Sequence, residues 1–247
     1  MGKKKEDKED KKSKPPKPKG GCIKKLALLL LLGVLAYFGV HVYFLWQPAG
    51  KPDAISLAVI DANVAGVKVF PAIQAYPMEH VAGRPEILNG RPIPAPLLKA
   101  RLNLAIERNY PLTFREEEIN VWLSKRLAVK QCGALAPFAK VRGVWVDFKQ
   151  DEIEIIIERE IQGQVHAASL FMKFNRSKQG FSISRHSSHI GQVRVPGGFA
   201  RLIMPAFSNL ATELADELQP YYDKKIRDVR VEDGKITLDP RKPEERL

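Results

Sequence analysis

Hydrophobic positions along this chain change their spacing from one stretch to the next, and each spacing predicts a different element. From Leu26 to Trp46, LALLLLLGVLAYFGVHVYFLW, no residue carries a fixed charge. As a helix rising about 1.5 Å per residue the run spans roughly 31 Å, against a hydrocarbon core of about 30 Å. Between Ala95 and Arg108 the period is helical, with Leu97, Leu98, Leu102 and Ala105 on one face. Thr113 and Glu116 stand at capping-box spacing before Ile119, Trp122, Leu123 and Leu127, which predicts a second helix with Glu116, Glu117 and Glu118 as a solvated acidic first turn. After Pro137 the period drops to two. Val144, Val146 and Phe148 are followed by a turn at Gln150-Asp151, then by Ile153, Ile155 and Ile157 alternating with Glu152, Glu154 and Glu158. Val165 to Phe174 and Phe181 to Ile190 continue the series, joined by the polar turn Asn175 to Gly180. Four such strands predict an antiparallel meander, apolar on one face and wetted by carboxylates on the other. Phe199, Leu202, Ile203, Phe207, Leu210, Leu214 and Leu218 predict a long amphipathic helix bent at Pro205. Asp233-Gly234, flanked by Val229, Val231, Ile236 and Leu238, predicts a hairpin with a type I′ turn. The class is α+β.

The apolar run reads as an uncleaved anchor. A cleaved signal peptide has a shorter apolar core and a small residue before the cut, where this chain has Gln47. Tyr37, Tyr43 and Trp46 suit an aromatic belt, and His41 falls near the outer interface. Residues 1–25 carry 11 lysines against Glu6, Asp7, Glu9 and Asp10, and Lys24 and Lys25 abut the core. Positive flanks stay cytoplasmic, so the main domain is expected outside. That tail accounts for most of the formal charge of +12. The high pI therefore reflects a tail beside a membrane surface, and no nucleic-acid partner is expected. The organisation expected is a disordered lysine-rich tail over 1–25, an anchor over 26–46, a proline-rich spacer or loosely packed segment over 47–96, and an extracytoplasmic domain over 97–247.

Candidate chemistry changes this picture little. Cys22 and Cys132 fall on opposite sides of the membrane in that topology, so no disulfide joins them, and Cys132 reads as a small buried hydrophobe. His186 and His189 lie three apart on a strand and point to opposite faces, which leaves them, with His166, short of a metal site. No H-E-x-x-H, G-x-S-x-G or P-loop occurs. Glu152, Glu154, Glu158 and Glu160 read as a wet strand face. No catalysis, cofactor or metal is expected.

The order Thr113-Phe114 through Ile119, Asn120, Trp122 and Leu123, then the strand ladder, then Ile190-Gly191-Gln192-Val193-Arg194-Val195-Pro196 leading into a long helix, resembles the YpmS-like family over roughly residues 110 to 240. These are bacterial single-pass membrane proteins with a TULIP-like extracytoplasmic domain. The resemblance implies a curved antiparallel sheet packed on a long amphipathic helix, with an apolar groove for an acyl chain, in a bacterial inner membrane facing the periplasm. Groove candidates by face and position are Val146, Ile155, Ile157, Phe171, Phe199, Leu202, Ile203 and Phe207. The function expected is binding of a lipid or other amphiphile. The competing expectation is an envelope scaffold with a solid core that recruits a protein partner.

Overall fold

The computed structural model describes residues 21–49, 57–58, 60–62, 65, 78–91, 94, 96–127, 139–177, 180–196 and 204–246. The chain divides into two compact units, residues 1–42 and 43–247. Helix α1, Gly21–Leu45, supplies the described part of the first. From Lys24 to Leu45 it is long and apolar enough to cross a membrane, and equally meets the test for a signal sequence. Leucines from Leu26 to Leu35 are exposed all round it, so no single face is set aside for a core.

The second unit is built on two antiparallel sheets. Strands β2 (Ala139–Lys149), β3 (Glu152–Ile161), β4 (Gln164–Ser177), β5 (Gly180–Ile190) and β6 (Val193–Pro196) pair in sequence order, so the meander expected from the alternation is present and gains a fifth strand. Strands β1 (Leu112–Arg115), β8 (Lys235–Asp239) and β7 (Asp228–Glu232) form a three-stranded sheet in that order. Gln162 and Gly163 both take positive φ, which makes the β3–β4 connection the type I′ turn. At the β7–β8 hairpin only Gly234 does so. The hairpin expected at Asp233-Gly234 is therefore present with a different turn.

Strand register sorts the side chains. Val144, Val146 and Phe148, with Ile153, Ile155 and Ile157 and with Leu170, share one face. Trp145 and Asp147 share the other with Glu154, Ile156, Glu158, Ala167, Ser169, Phe171, Ser187, His189 and Arg194. The first face meets the three-stranded sheet and helices α3 (Leu98–Glu107) and α4 (Glu116–Arg126), which together enclose the main core of Leu102, Phe114, Leu123, Phe148, Val229 and Leu238.

Several elements depart from the periodicity. Helix α3 starts at Leu98, leaving Leu97 outside the helix and 74 % exposed where a buried position was expected. Thr113 is no helix cap. It belongs to β1, where its hydroxyl meets that of Thr237 at 2.8 Å, and α4 begins later with the Glu118 carboxylate accepting from the Arg115 N–H at 2.9 Å. The capping geometry is thus shifted by two residues, because Thr113 and Phe114 complete a sheet whose inward positions, Leu112 and Phe114, are buried. The long amphipathic helix is two helices, α5 (Met204–Glu213) and α6 (Ala215–Tyr222). The break falls at Leu214, while Pro205 sits in the first turn of α5, where a missing N–H costs nothing.

Of the segment expected as a spacer, residues 78–91 are integral to the domain. A 3-10 turn, Met78–His80, leads into the short helix α2, Arg84–Leu88, and places Met78 and Val81 against Trp145, Ile156 and Ala167. Residues 50–56 and 66–77 lie outside the described set.

Candidate functional site

The apolar face of the large sheet, the small sheet and helices α3, α4 and α6 line a pocket of about 230 Å³ that opens to solvent beside Lys99, Asn103 and Asp216. Its wall is Leu98, Leu102, Ile119, Trp122, Val146, Ile155, Met172, Leu218, Tyr221 and neighbouring apolar residues, Phe114 and Phe148 among them. Lys99, Asn103, Asp216 and Glu217 are its polar lining residues. Burial pushes the Tyr221 phenol well above its ordinary range, so the hydroxyl stays neutral.

Of the groove residues expected from sequence, Val146 and Ile155 line this cavity. Ile157 and Phe207 instead join Val144, Leu170 and Leu210 in a filled cluster under α5. Phe171 points to the opposite sheet face, where the Arg194 guanidinium lies 4.7 Å from its ring centre. Phe199, Leu202 and Ile203 lie outside the described residues, as does Cys132. The α3 and α6 residues of the wall were not marked as groove from sequence. Helical spacing labels such positions apolar without saying whether their partner is a side chain or a void.

The opposite sheet face is not wet. Glu154 and Glu158 are buried, and only Glu152 and Glu160 remain partly accessible. Arg84 clamps Glu158 through two 2.8 Å hydrogen bonds, and the Trp145 indole N–H donates to the same carboxylate at 2.9 Å. Glu116 and Asn120, one turn apart on α4, plug the edge of β2. Glu116 accepts from the backbone N–H of Phe148 and of Ala82, both at 2.8 Å. Asn120 exchanges two hydrogen bonds with the Val146 backbone and donates a third to the Ala82 carbonyl. An edge strand would otherwise present free N–H and C=O groups. These two side chains satisfy them and tie residue 82 across the gap. Burial raises the Glu116 pKa, the two backbone hydrogen bonds opposing the rise. The expectation of a solvated acidic turn fails for Glu116, because its carboxylate is a substitute strand partner.

Beside this plug lies a polar cluster. His80 Nε2 stands 3.3 Å from Asp147 Oδ2, and Lys149 Nζ lies 2.7 Å from the same oxygen and 3.7 Å from Glu154 Oε2. The Ser169 hydroxyl donates to Glu154 Oε1. Burial would raise the Asp147 pKa, but His80 and Lys149 outweigh it and hold it below the usual carboxylate range. His166 and His189 take no part. His166 packs its ring 5.7 Å from that of Trp46 and is held low in pKa by burial, and His189 is buried on β5.

Comparison with protein-family models, with curated proteins and with solved structures gives no match.

Proposed function

We propose that this is a single-pass membrane protein that holds a lipid or other amphiphile in its extracytoplasmic domain without catalysis. The observation that carries the reading is the partly open apolar pocket of about 230 Å³, walled in part by the main core. The pocket opens to solvent beside Lys99, Asn103 and Asp216, so its apolar lining stays in contact with water when empty. Covering that lining with an acyl chain removes apolar area from water, at about 25 cal/mol per Å². The volume falls just under the roughly 300 Å³ at which small-molecule pockets begin, which suits one acyl chain better than an entire lipid. Lys99, Asp216 and Glu217 are the charged groups available to a polar head.

The apolar helix and the lysine-rich flank of residues 1–25 support an uncleaved anchor with a cytoplasmic N-terminus. The YpmS-like order of motifs supports a bacterial inner membrane with the domain in the periplasm. The scaffold alternative draws on the filled cluster around Phe207 and Leu210, but it leaves the cavity without a purpose.

The test uses indole fluorescence of the full chain in detergent micelles, titrated with a brominated fatty acid. Of the three tryptophans, Trp122 lines the cavity, Trp145 is sealed on the opposite sheet face and Trp46 follows α1. Saturable quenching that disappears in Trp122→Phe is the expected result. Quenching that Trp122→Phe leaves intact places the fatty acid at Trp46 and defeats the reading.

A further inference from the structure

The polar cluster on the opposite sheet face lies apart from the apolar cavity and has a composition of its own. His80, Asp147 and Glu154 come from three separate elements, the 78–80 turn, β2 and β3, and each brings one ligand atom within 4.8 Å of the other two. Atoms bound at about 2.0–2.2 Å to a tetrahedral ion lie roughly 3.3–3.6 Å apart, so the three side chains need close by only about an ångström on an ion. We propose that these three side chains bind a first-row divalent cation of the zinc type.

Three features carry the assignment. The donor set is one imidazole nitrogen and two carboxylate oxygens, which matches the charge of a divalent ion and suits borderline metals; it holds too few oxygens for calcium and no thiolate for copper(I). One carboxylate is oriented by a side chain and the other by its strand. Ser169 holds Glu154 Oε1 and leaves Oε2 facing the cluster, while Asp147 is fixed on a strand whose edge Glu116 and Asn120 secure. The same two side chains bond the backbone of Ala82, two residues after His80, so the turn that delivers the imidazole is pinned to that strand. Such outer support is what metal ligands ordinarily receive.

Lys149 is the internal competitor. Its ammonium sits against both carboxylates, filling the cationic role that the metal would take. Half exposed, it moves outward on metal entry toward Glu152, its cross-strand partner. No proton need leave the lysine, and a neutral imidazole becomes the third ligand.

The experiment titrates the full chain in detergent with cobalt(II), read by its visible d–d absorption, and with zinc(II) by calorimetry. Wild type is expected to bind one equivalent of each. His80→Ala, at a partly exposed position, is expected to weaken that binding at least tenfold, and Lys149→Gln to strengthen it at least threefold. The opposite signs separate the site from a folding defect, since loss of either partner of a merely structural ion pair raises no metal affinity. Absence of a saturable one-equivalent event in wild type overturns the proposal. So does a one-equivalent event that His80→Ala leaves unchanged, or one that Lys149→Gln fails to strengthen.

Discussion

The guanidinium of Arg84 meets the carboxylate of Glu158 in a two-pronged ion pair, with both hydrogen bonds at 2.8 Å and the glutamate fully out of solvent. It joins the start of α2 to β3 of the large sheet. Glu158 also receives the Trp145 N–H, with Arg142 3.4 Å away. Arg84→Ala removes the principal partner of a buried charge, and breaking such pairs costs about 3–5 kcal/mol. With Arg142 and Trp145 remaining, a loss of about 3 kcal/mol is expected in urea denaturation. Arg84→Ala combined with Glu158→Gln is expected to recover part of it.

Asn120 is fully buried and serves two backbone segments at once. Asn120→Ala leaves the Val146 N–H and two carbonyls unanswered. The two Val146 groups are buried while Ala82 is exposed, and at about 1–3 kcal/mol per buried group left unsatisfied the variant is expected to lose about 2–6 kcal/mol. Hydrogen exchange should show the effect concentrated at residues 82 and 146. Uniform loss of protection across both sheets would contradict the edge-plug account.

Acid is expected to weaken the tie between the 78–80 turn and β2. Asp147 has a depressed folded pKa, so its contribution is present above the unfolded value and is lost as pH falls through the folded one. Glu116 works in the other sense. Its raised pKa favours the folded state when the carboxyl is protonated, and that advantage fades as pH rises through the folded value. The stability gap between wild type and Asp147→Asn should therefore close as pH drops below about 4. A gap constant from pH 7 to pH 3 would show that Asp147 carries no charge-linked stability.

Gly191 takes a φ of 58° on the β5–β6 turn, and a Cβ there would sit 2.4 Å from the Leu45 carbonyl oxygen. The neighbouring Gln192 N–H donates to the Phe44 carbonyl at 3.2 Å, and Ala49 N–H to Val165 at 2.6 Å. Gly191→Ala combines a backbone conformation costing about 1–3 kcal/mol with a backbone clash. Thermal unfolding should shift down, and residues 44–49 should become sensitive to limited proteolysis. An unchanged melting temperature would contradict the close approach.

The strands and the apolar helix were legible because period two and an unbroken apolar run each have one structural solution. The carboxylates were not. Glu152, Glu154 and Glu158 read identically as a wet face, yet the last two are buried, because the covering segment comes from residues 78–91, where Gly83, Pro85 and Gly90 break up the periodicity. His80 stayed invisible for the same reason: its partners are more than sixty residues away, on two strands. Val146 and Ile155 were legible as inward-facing, but inward-facing Ile157 proved solidly packed, since alternation gives a face and not what fills the space against it.

The central claim is that an acyl chain occupies the cavity. The most direct measurement is photocrosslinking of the full chain in nanodiscs with a fatty acid bearing a diazirine along its chain, mapped by peptide mass spectrometry. Adducts on peptides carrying Leu102, Trp122, Ile155 or Met172, competed away by unlabelled fatty acid, are the predicted result. Adducts confined to residues 21–45, with none in the cavity wall, would contradict it.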